Sequence, residues 1–589
     1  MSYRAPIREM RFLLEAFGYE QIASLDAFAS YDLETAVSLL EETAQFGIST
    51  LLPLNKVGDT EGLKWDPETG AVTTPTGFRQ AYAQLREHGF IGVTGAEEFG
   101  GGGAPETVGI SMGEIGGSCN KSLGMCPGLS RGLVEALEEH GSPEQKKQFL
   151  PNLISGQWSG TMCLTEPQCG TDLGLVRMRA EPEGPAYRLT GTKIWITFGE
   201  HDLTENIIHL VLARLPGAPE GIKGISTFVV PKYRLDDGKP NHVKCTGLEH
   251  KMGIHGSPTC VIDMEGALGY LIGEPHKGMK VMFTMMNAAR LHVAVEGICG
   301  AEIAYQTAVA FAKDRRQSRS LDPAKRDPNA PADTILVHPD VRRMLLNQKS
   351  TNEAMRGLAI WTAMQIDLSR HAKDEKVKED ATDLAALLTP IAKSYCTERG
   401  THNISEAMQV CGGSGYTKDW GIEQYYRDTR ITMIYEGTNH IQALDLLGRK
   451  LPMKGGRLMQ VFNERVTDLI RRNAERPEMA EFVAHLKGAS KKLTGITMEL
   501  AGKGMEDQEE AGAAASNYLN VFALTALAYV WCVQLEKALS EDSNFAKTKV
   551  KTARYFFENV LPEQDSLLTI IRAGKKNLMA LDASEFETA

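Results

Sequence analysis

Glu436 stands between Ile434-Tyr435 and Gly437, an apolar and tight setting for a carboxylate. Such a setting disfavours the charged form and raises the pKa, which suits a general base working near neutral pH. A surface or salt-bridged glutamate is the plainer explanation of the same residue. Three other segments carry residue types that could face a ligand. Thr165-Glu166-Pro167, followed by Gly170-Thr171, reads as a turn after a strand, where backbone N–H groups and a hydroxyl can meet an anion. Trp195 and Thr197 lie two apart on a β-rich run, so strand periodicity puts a ring and a hydroxyl on one face. Gly412 and Gly413, just after Gln409, allow close approach to the backbone. Taken singly, the first two are also explained by a β-turn and a core tryptophan. The 14 histidines and ten cysteines form no H-E-x-x-H or C-x-x-C pattern, so no metal site is expected.

The elements that must position these residues follow from the wider pattern. The chain has 589 residues, 42% of them hydrophobic and 24% charged, which fits several packed globular units. A net charge of -11 does not favour nucleic acid or an anionic membrane as a partner. Residues 1–20 mix Arg4, Arg8, Glu9 and Arg11 with apolar residues and lack the features of a signal peptide. The longest apolar run, near Val521–Val533, is short of the roughly 20 residues that span a bilayer, so a core helix is expected and no membrane span. The cysteines then read as reduced thiols of a cytoplasmic protein.

Four domains are predicted. Residues 1–157 read as helical, with apolar periodicity over Leu33–Phe46 and a helix opening at Pro143, capped by Ser142 with Gln145 at the capping-box position. Residues 158–275 hold short β-rich runs, among them Tyr187–Thr190, Lys193–Thr197, Ile207–Ala213, Ile225–Val230 and Thr259–Met264, and read as a compact antiparallel β-domain. Residues 276–450 carry long helical patterns at Met279–Asp314, Val341–Leu368 and Asp380–Arg399, as in a bundle. Pro452 and Gly455-Gly456 mark a boundary before a further helical stretch, 451–589.

Four of these segments, in this order, resemble the signatures of acyl-CoA dehydrogenases: Met162–Asp172, Gly191–Thr197, Gln409–Tyr416, and Arg427-Asp428 with Ile434–Thr438. The resemblance covers about residues 80–450. The N-terminal segment, the tail and the Gly256-Ser257-Pro258-Thr259 loop are most similar to the 3-methylmercaptopropionyl-CoA dehydrogenase branch, which acts in dimethylsulfoniopropionate breakdown. The resemblance implies a mainly α fold with a central β-domain: an N-terminal helical domain, an antiparallel β-barrel-like domain and a C-terminal four-helix bundle, here with an extra C-terminal helical domain.

It also implies FAD, an acyl-CoA substrate, an electron-transfer flavoprotein as acceptor and a homodimer. Leu164, Thr165, Trp195 and Thr197 would face the flavin, and Gly170-Thr171 would lie near phosphate and the CoA arm. Arg315 and Gln317 match the family's R-x-Q, followed here by Ser318-Arg319 instead of Phe-Gly. With Gln409, Gly412 and Gly413 they would reach the nucleotide end of the neighbouring subunit's cofactor. Thr438 and His440 would complete the cofactor set. Glu436 would be the base, because the alternative position before Arg290 holds Ala289. Arg290, Asn287 and Gly437 would form the substrate side, and His255 stands where an Arg is common. The cluster Met282, Met285, Met286 reads as core packing. Alternatives are a medium- or long-chain fatty acyl-CoA dehydrogenase, an oxygen-using acyl-CoA oxidase, a catalytically silent partner subunit, and a DNA-binding alkylation-response flavoprotein. The last needs a basic tail, whereas the chain from Leu451 holds 18 basic and 19 acidic residues.

Overall fold

The computed structural model describes residues 3–587. Met1, Ser2, Thr588 and Ala589, at the outer ends of the first and last predicted domains, lie outside the described residues. The chain forms two compact units. One contains Ser38–His292, the other the N-terminus to Val37 together with Val293 onward.

The helices of the N-terminal region are α1 (Ile7–Ala16), α2 (Leu33–Phe46), α3 (Leu52–Glu61), α4 (Phe78–Glu87), α5 (Glu106–His140) and α6 (Pro143–Ile154). The periodic stretch Leu33–Phe46 is α2, residue for residue. α6 begins as its sequence requires. The Ser142 hydroxyl accepts the Gln145 N–H, and the Gln145 side chain accepts the Ser142 N–H. α5 breaks its helical geometry at Asn120.

Seven strands follow: β1 (Trp158–Cys163), β2 (Arg179–Glu183), β3 (Ala186–Thr197), β4 (Asn206–Arg214), β5 (Ile225–Pro231), β6 (Val243–Leu248) and β7 (Thr259–Ile272). The pairings β4–β5–β7–β3–β2–β4 close a ring, so the domain is barrel-like. It is not purely antiparallel, because β1 lies parallel to β4 along its whole length and β2 meets β4 in parallel. β4 and β5 are buried on both faces, so their apolar residues, such as Leu210–Ala213 and Phe228–Val230, stand at consecutive positions with no alternation, and the polar residues among them, such as His209 and Thr227, are buried too. Met282 and Met285 are buried with Leu133, Leu137, Phe149 and Leu210 in this unit's core, as expected of packing residues.

The helical unit is built on α7 (Gly278–Asp314) from Val293 onward, α8 (Pro339–His371) and α9 (Glu375–Cys411), with shorter α10 (Ile422–Arg430) and α11 (Asn439–Leu444). Within it, α7 and α9 cross backbone to backbone. A Cβ on Gly297 would sit 2.5 Å from the Cys396 carbonyl, and one on Gly400 would sit 2.3 Å from the Gly297 carbonyl. The tail supplies α12 (Arg457–Arg472), α13 (Ala480–Glu506), α14 (Gln508–Ala538), α15 (Asn544–Tyr555) and α16 (Glu563–Ala573). α14 is long and apolar enough to cross a membrane, yet its most apolar window is 94% buried inside the fold. It packs on α8, α9 and α11. The buried Lys549 ammonium joins Glu9 of α1, Glu353 of α8 and Gln534 of α14, so tail, bundle and N-terminal helix share one ionic centre.

Candidate active site

In the β-containing unit, the turn after β1 is welded to β3. Lys193, fully buried on β3, donates to the Leu164 carbonyl at 3.0 Å and to the Glu166 carboxylate at 2.8 Å. Glu166 also accepts the N–H groups of Arg177 (2.7 Å) and Met178 (3.1 Å) and the Gln168 amide (2.6 Å). Burial pushes this carboxyl upward, but Lys193 and the two backbone N–H groups outweigh it and hold the pKa below the usual range. The Ile194 N–H completes the weld on the Thr165 carbonyl at 2.9 Å. Leu164 and Thr165 are thereby fixed and half-buried. Gly170 and Thr171 are exposed, and a Cβ on Gly170 would touch nothing within 4 Å.

Trp195 lies in the same strand but not in regular alternation. Its φ is +63°, and the β3–β7 register shifts between Lys193 and Ile196. The bulge turns the indole outward, 56% exposed, while Ile196 is buried and Thr197 half-buried. A simple two-residue repeat would have put Trp195 on the face of the buried Lys193. Arg290 is buried and Asn287 exposed on α7. His255 is bound to the Asp59 carboxylate at 3.0 Å and to the Lys251 carbonyl at 2.8 Å, so it ties α3 to the loop before β7.

In the helical unit, Glu436 has φ +55° and Gly437 φ +82°. The first is the left-handed region that side chains disfavour. The Gln442 amide donates to the carbonyls of Glu436 (3.2 Å) and Gly437 (3.1 Å). The buried Lys393 of α9 donates to the Gly437 carbonyl at 2.7 Å and to Asn439 Oδ1 at 3.1 Å. Thr438 caps α11 through the Ile441 N–H. The Tyr435 hydroxyl donates to the Glu296 carboxylate of α7. Burial first, and then Glu296 and Glu436, push that phenol well above its ordinary pKa. His440 is exposed, and its Nδ1 lies 3.0 Å from the Ser516 hydroxyl of α14.

Arg315 and Gln317 follow the end of α7, and both side chains are exposed. The Ser318-Arg319 departure has a structural account. Ser318 takes φ +61°, and Arg319 folds the following loop by donating to the carbonyls of Asp327 and Ala330 and pairing with Asp333. Gln409 is exposed in the last turn of α9, followed by Gly412 at φ +56° and Gly413. A Cβ on either glycine would meet open space.

These features fit FAD in kind. Trp195 offers an exposed aromatic face, Gly170, Gly412 and Gly413 leave backbone open to a phosphate-bearing ligand, and Arg315 offers a free-reaching cation. Glu166, Lys193, Lys393, Gln442 and Glu296 were not singled out from sequence. Glu166 and Lys193 sit inside the quoted motifs, but their partnership spans 27 residues; Tyr435 and Glu296 are 139 apart. Among the described residues no cluster suited to a metal ion is found.

Comparisons with known proteins cover nearly the whole chain. Family models for the acyl-CoA dehydrogenase N-terminal, middle and C-terminal domains match residues 61–157, 161–267 and 276–451. A model described as acetyl-CoA dehydrogenase C-terminal like matches 462–582. The chain is 41% identical to a 3-methylmercaptopropionyl-CoA dehydrogenase of Ruegeria pomeroyi, over 96% of this chain and 97% of that one. It is 32% identical to the broad-specificity linear acyl-CoA dehydrogenase FadE5 of Mycobacterium tuberculosis, over 99% and 100%. Among solved structures, a Bacillus anthracis acyl-CoA dehydrogenase complexed with FAD shares the fold with a TM-score of 0.75, at 22% identity, over 95% of this chain and 91% of that one. With three consecutive domain matches and relatives aligned from end to end, the chain belongs to the acyl-CoA dehydrogenase family and carries that family's additional C-terminal domain.

Proposed function

We propose that this dehydrogenase uses FAD to oxidise 3-methylmercaptopropionyl-CoA to 3-methylthioacryloyl-CoA, with Glu436 as the base. The observation that supports the chemistry is the held conformation of Glu436, a residue in the left-handed region whose carbonyl accepts from Gln442 and whose following carbonyl, that of Gly437, accepts from Gln442 and Lys393. No carboxylate stands at Ala289 to replace it. The substrate reading rests on the Ruegeria pomeroyi relative, matched over almost the full length of both chains.

The α-proton of a thioester is weakly acidic, so its removal needs a base and a hydrogen-bond donor for the oxygen where charge develops. Glu436 takes the proton, and its own backbone N–H donates to the thioester oxygen. The chemistry that bound FAD would supply is acceptance of the β-hydride. Leu164, Thr165, Trp195, Thr197, Thr438 and His440 hold the flavin side, and Gly170-Thr171 the phosphates and CoA arm. Arg315, Gln317, Gln409, Gly412 and Gly413 reach the nucleotide end of the neighbouring subunit's cofactor. Arg290 shapes the charge of the site, Asn287 lies on the CoA side, and Gly437 leaves room for substrate.

An electron-transfer flavoprotein receives the electrons, and the enzyme is a cytoplasmic homodimer whose tail covers bundle surface. Light scattering at micromolar concentration tests the last point, since a mass near four chains refutes it. A substrate panel tests the acyl group: 3-methylmercaptopropionyl-CoA against straight-chain acyl-CoAs of increasing length, with an artificial acceptor. The highest kcat/KM is expected for the thioether substrate. A maximum on a straight chain favours the second reading, a fatty acyl-CoA dehydrogenase, as the name of the FadE5 relative makes reasonable.

A further inference from the structure

Two residues outside the motifs act on the segment that carries Glu436. A non-glycine residue at φ +55° followed by a glycine at φ +82° is a backbone the chain does not adopt for its own sake. It persists only where surrounding groups over-determine it. Here four donated hydrogen bonds do so. Gln442 Nε2 reaches the carbonyls of residues 436 and 437, while Lys393 Nζ reaches the carbonyl of residue 437 and the side-chain oxygen of Asn439. Both side chains are completely buried.

Their mounts differ. Gln442 rides on α11, which begins two residues after Gly437, and so ties the loop to its own continuation. Lys393 comes from α9, 44 residues earlier. α9 is held against α7 by the Gly297–Gly400 crossing. Asn439 closes the set by donating to the Ser394 carbonyl at 3.2 Å and accepting from Thr397 at 3.2 Å. The direction of the Glu436 peptide is therefore referred to a rigid helix and not left to a loop.

We propose that Lys393 and Gln442 are positioning residues for the dehydrogenation. They hold the peptide planes around Glu436 so that its carboxylate and its own N–H are presented together to one thioester. The proposal rests on Glu436 being the base. Neither residue touches the reacting atoms. Each acts by keeping two groups of residue 436 in a fixed mutual orientation, and displacements of about 1 Å in such arrangements cost about 100-fold in rate.

The test uses the full-length flavin-loaded enzyme with Lys393→Met and, separately, Gln442→Met. Two quantities are read: kcat per bound flavin, and amide hydrogen exchange of the 434–440 segment without substrate. The expected result is a fall in kcat of at least 10-fold together with at least 10-fold faster exchange, while the Kd for a 2-enoyl-CoA product changes less than 3-fold. A residue that only supports the fold would lower flavin content or Tm and leave kcat per flavin alone. The proposal is overturned if kcat per flavin stays within 3-fold of wild type, if exchange is unchanged, or if the loss lies in ligand affinity. Should Lys393→Met fail to fold, Gln442→Met decides alone. The exchange readout needs no turnover. A wild type inactive on every acyl-CoA would overturn the assignment of Glu436 but leave the clamp itself measurable.

Discussion

The two segments that carry the proposed chemistry are each gripped by a buried lysine, in different ways. Lys193 meets a carbonyl and a carboxylate, and its partner Glu166 is further saturated by backbone N–H groups. Lys393 meets a carbonyl and an amide oxygen. In the β-domain the grip fixes a turn whose adjoining side chains form a surface, so a small loosening changes what can rest on it. In the helical unit the grip fixes one residue at an unfavourable φ, so loosening changes where a reacting group points. Under the proposed assignment, the same residue type would serve cofactor shape in one place and base direction in the other.

The largest loss is expected at the base. Glu436→Gln should keep the yellow cofactor and bind substrate, while turnover falls by at least about 10²–10⁴. Near-normal kcat with an artificial acceptor would remove the distinction between a surface-forming segment and a reacting one.

At the other lysine the loss should appear in stability and flavin content. Lys193→Met leaves Glu166 buried without its cation, at a cost of about 3–5 kcal/mol. Urea unfolding should show this, and Lys193→Met with Glu166→Leu should recover part of it, since the stranded charge is gone. pH gives a second view. The Glu166 pKa is lower in the folded state, so its contribution is complete above the unfolded carboxyl value and is lost as pH falls through the folded one. Glu166→Gln should flatten the stability profile on the acid side of about pH 4.5. An unaltered acid limb would mean that the pair carries no linkage.

Arg315→Ala should weaken FAD retention by about 10–100-fold, the worth of a charge-assisted contact at about 1.5–3 kcal/mol. Unchanged flavin occupancy after dialysis would exclude that contact. The smallest effect sharpens the account of the base segment. Glu436→Gly should be more stable than Glu436→Ala by about 1 kcal/mol, because glycine accepts a positive φ without the Cβ clash. Equal Tm values would mean that no strain is held there.

Much of this molecule is written locally. Helix boundaries such as Leu33–Phe46 and the Ser142–Gln145 cap follow from side chains within a turn of one another, where spacing alone sets who meets whom. The four motifs likewise placed Glu436, Trp195 and the glycines on recognisable segments, because residue type and order survive without knowledge of the fold. Tertiary structure decided what lies across long loops. The parallel β1–β4 pairing needs the chain to return from Asn206, and local propensity has no term for that. The bulge at Trp195 overrides the two-residue repeat, because only the register with β7 shows that an extra residue must be absorbed. Tyr435 with Glu296, Lys393 with Gly437 and His440 with Ser516 join residues 139, 44 and 76 positions apart. Such pairs leave no periodic trace in the sequence, since a hydrogen bond depends on a distance in space that only the packing of one helix against another creates.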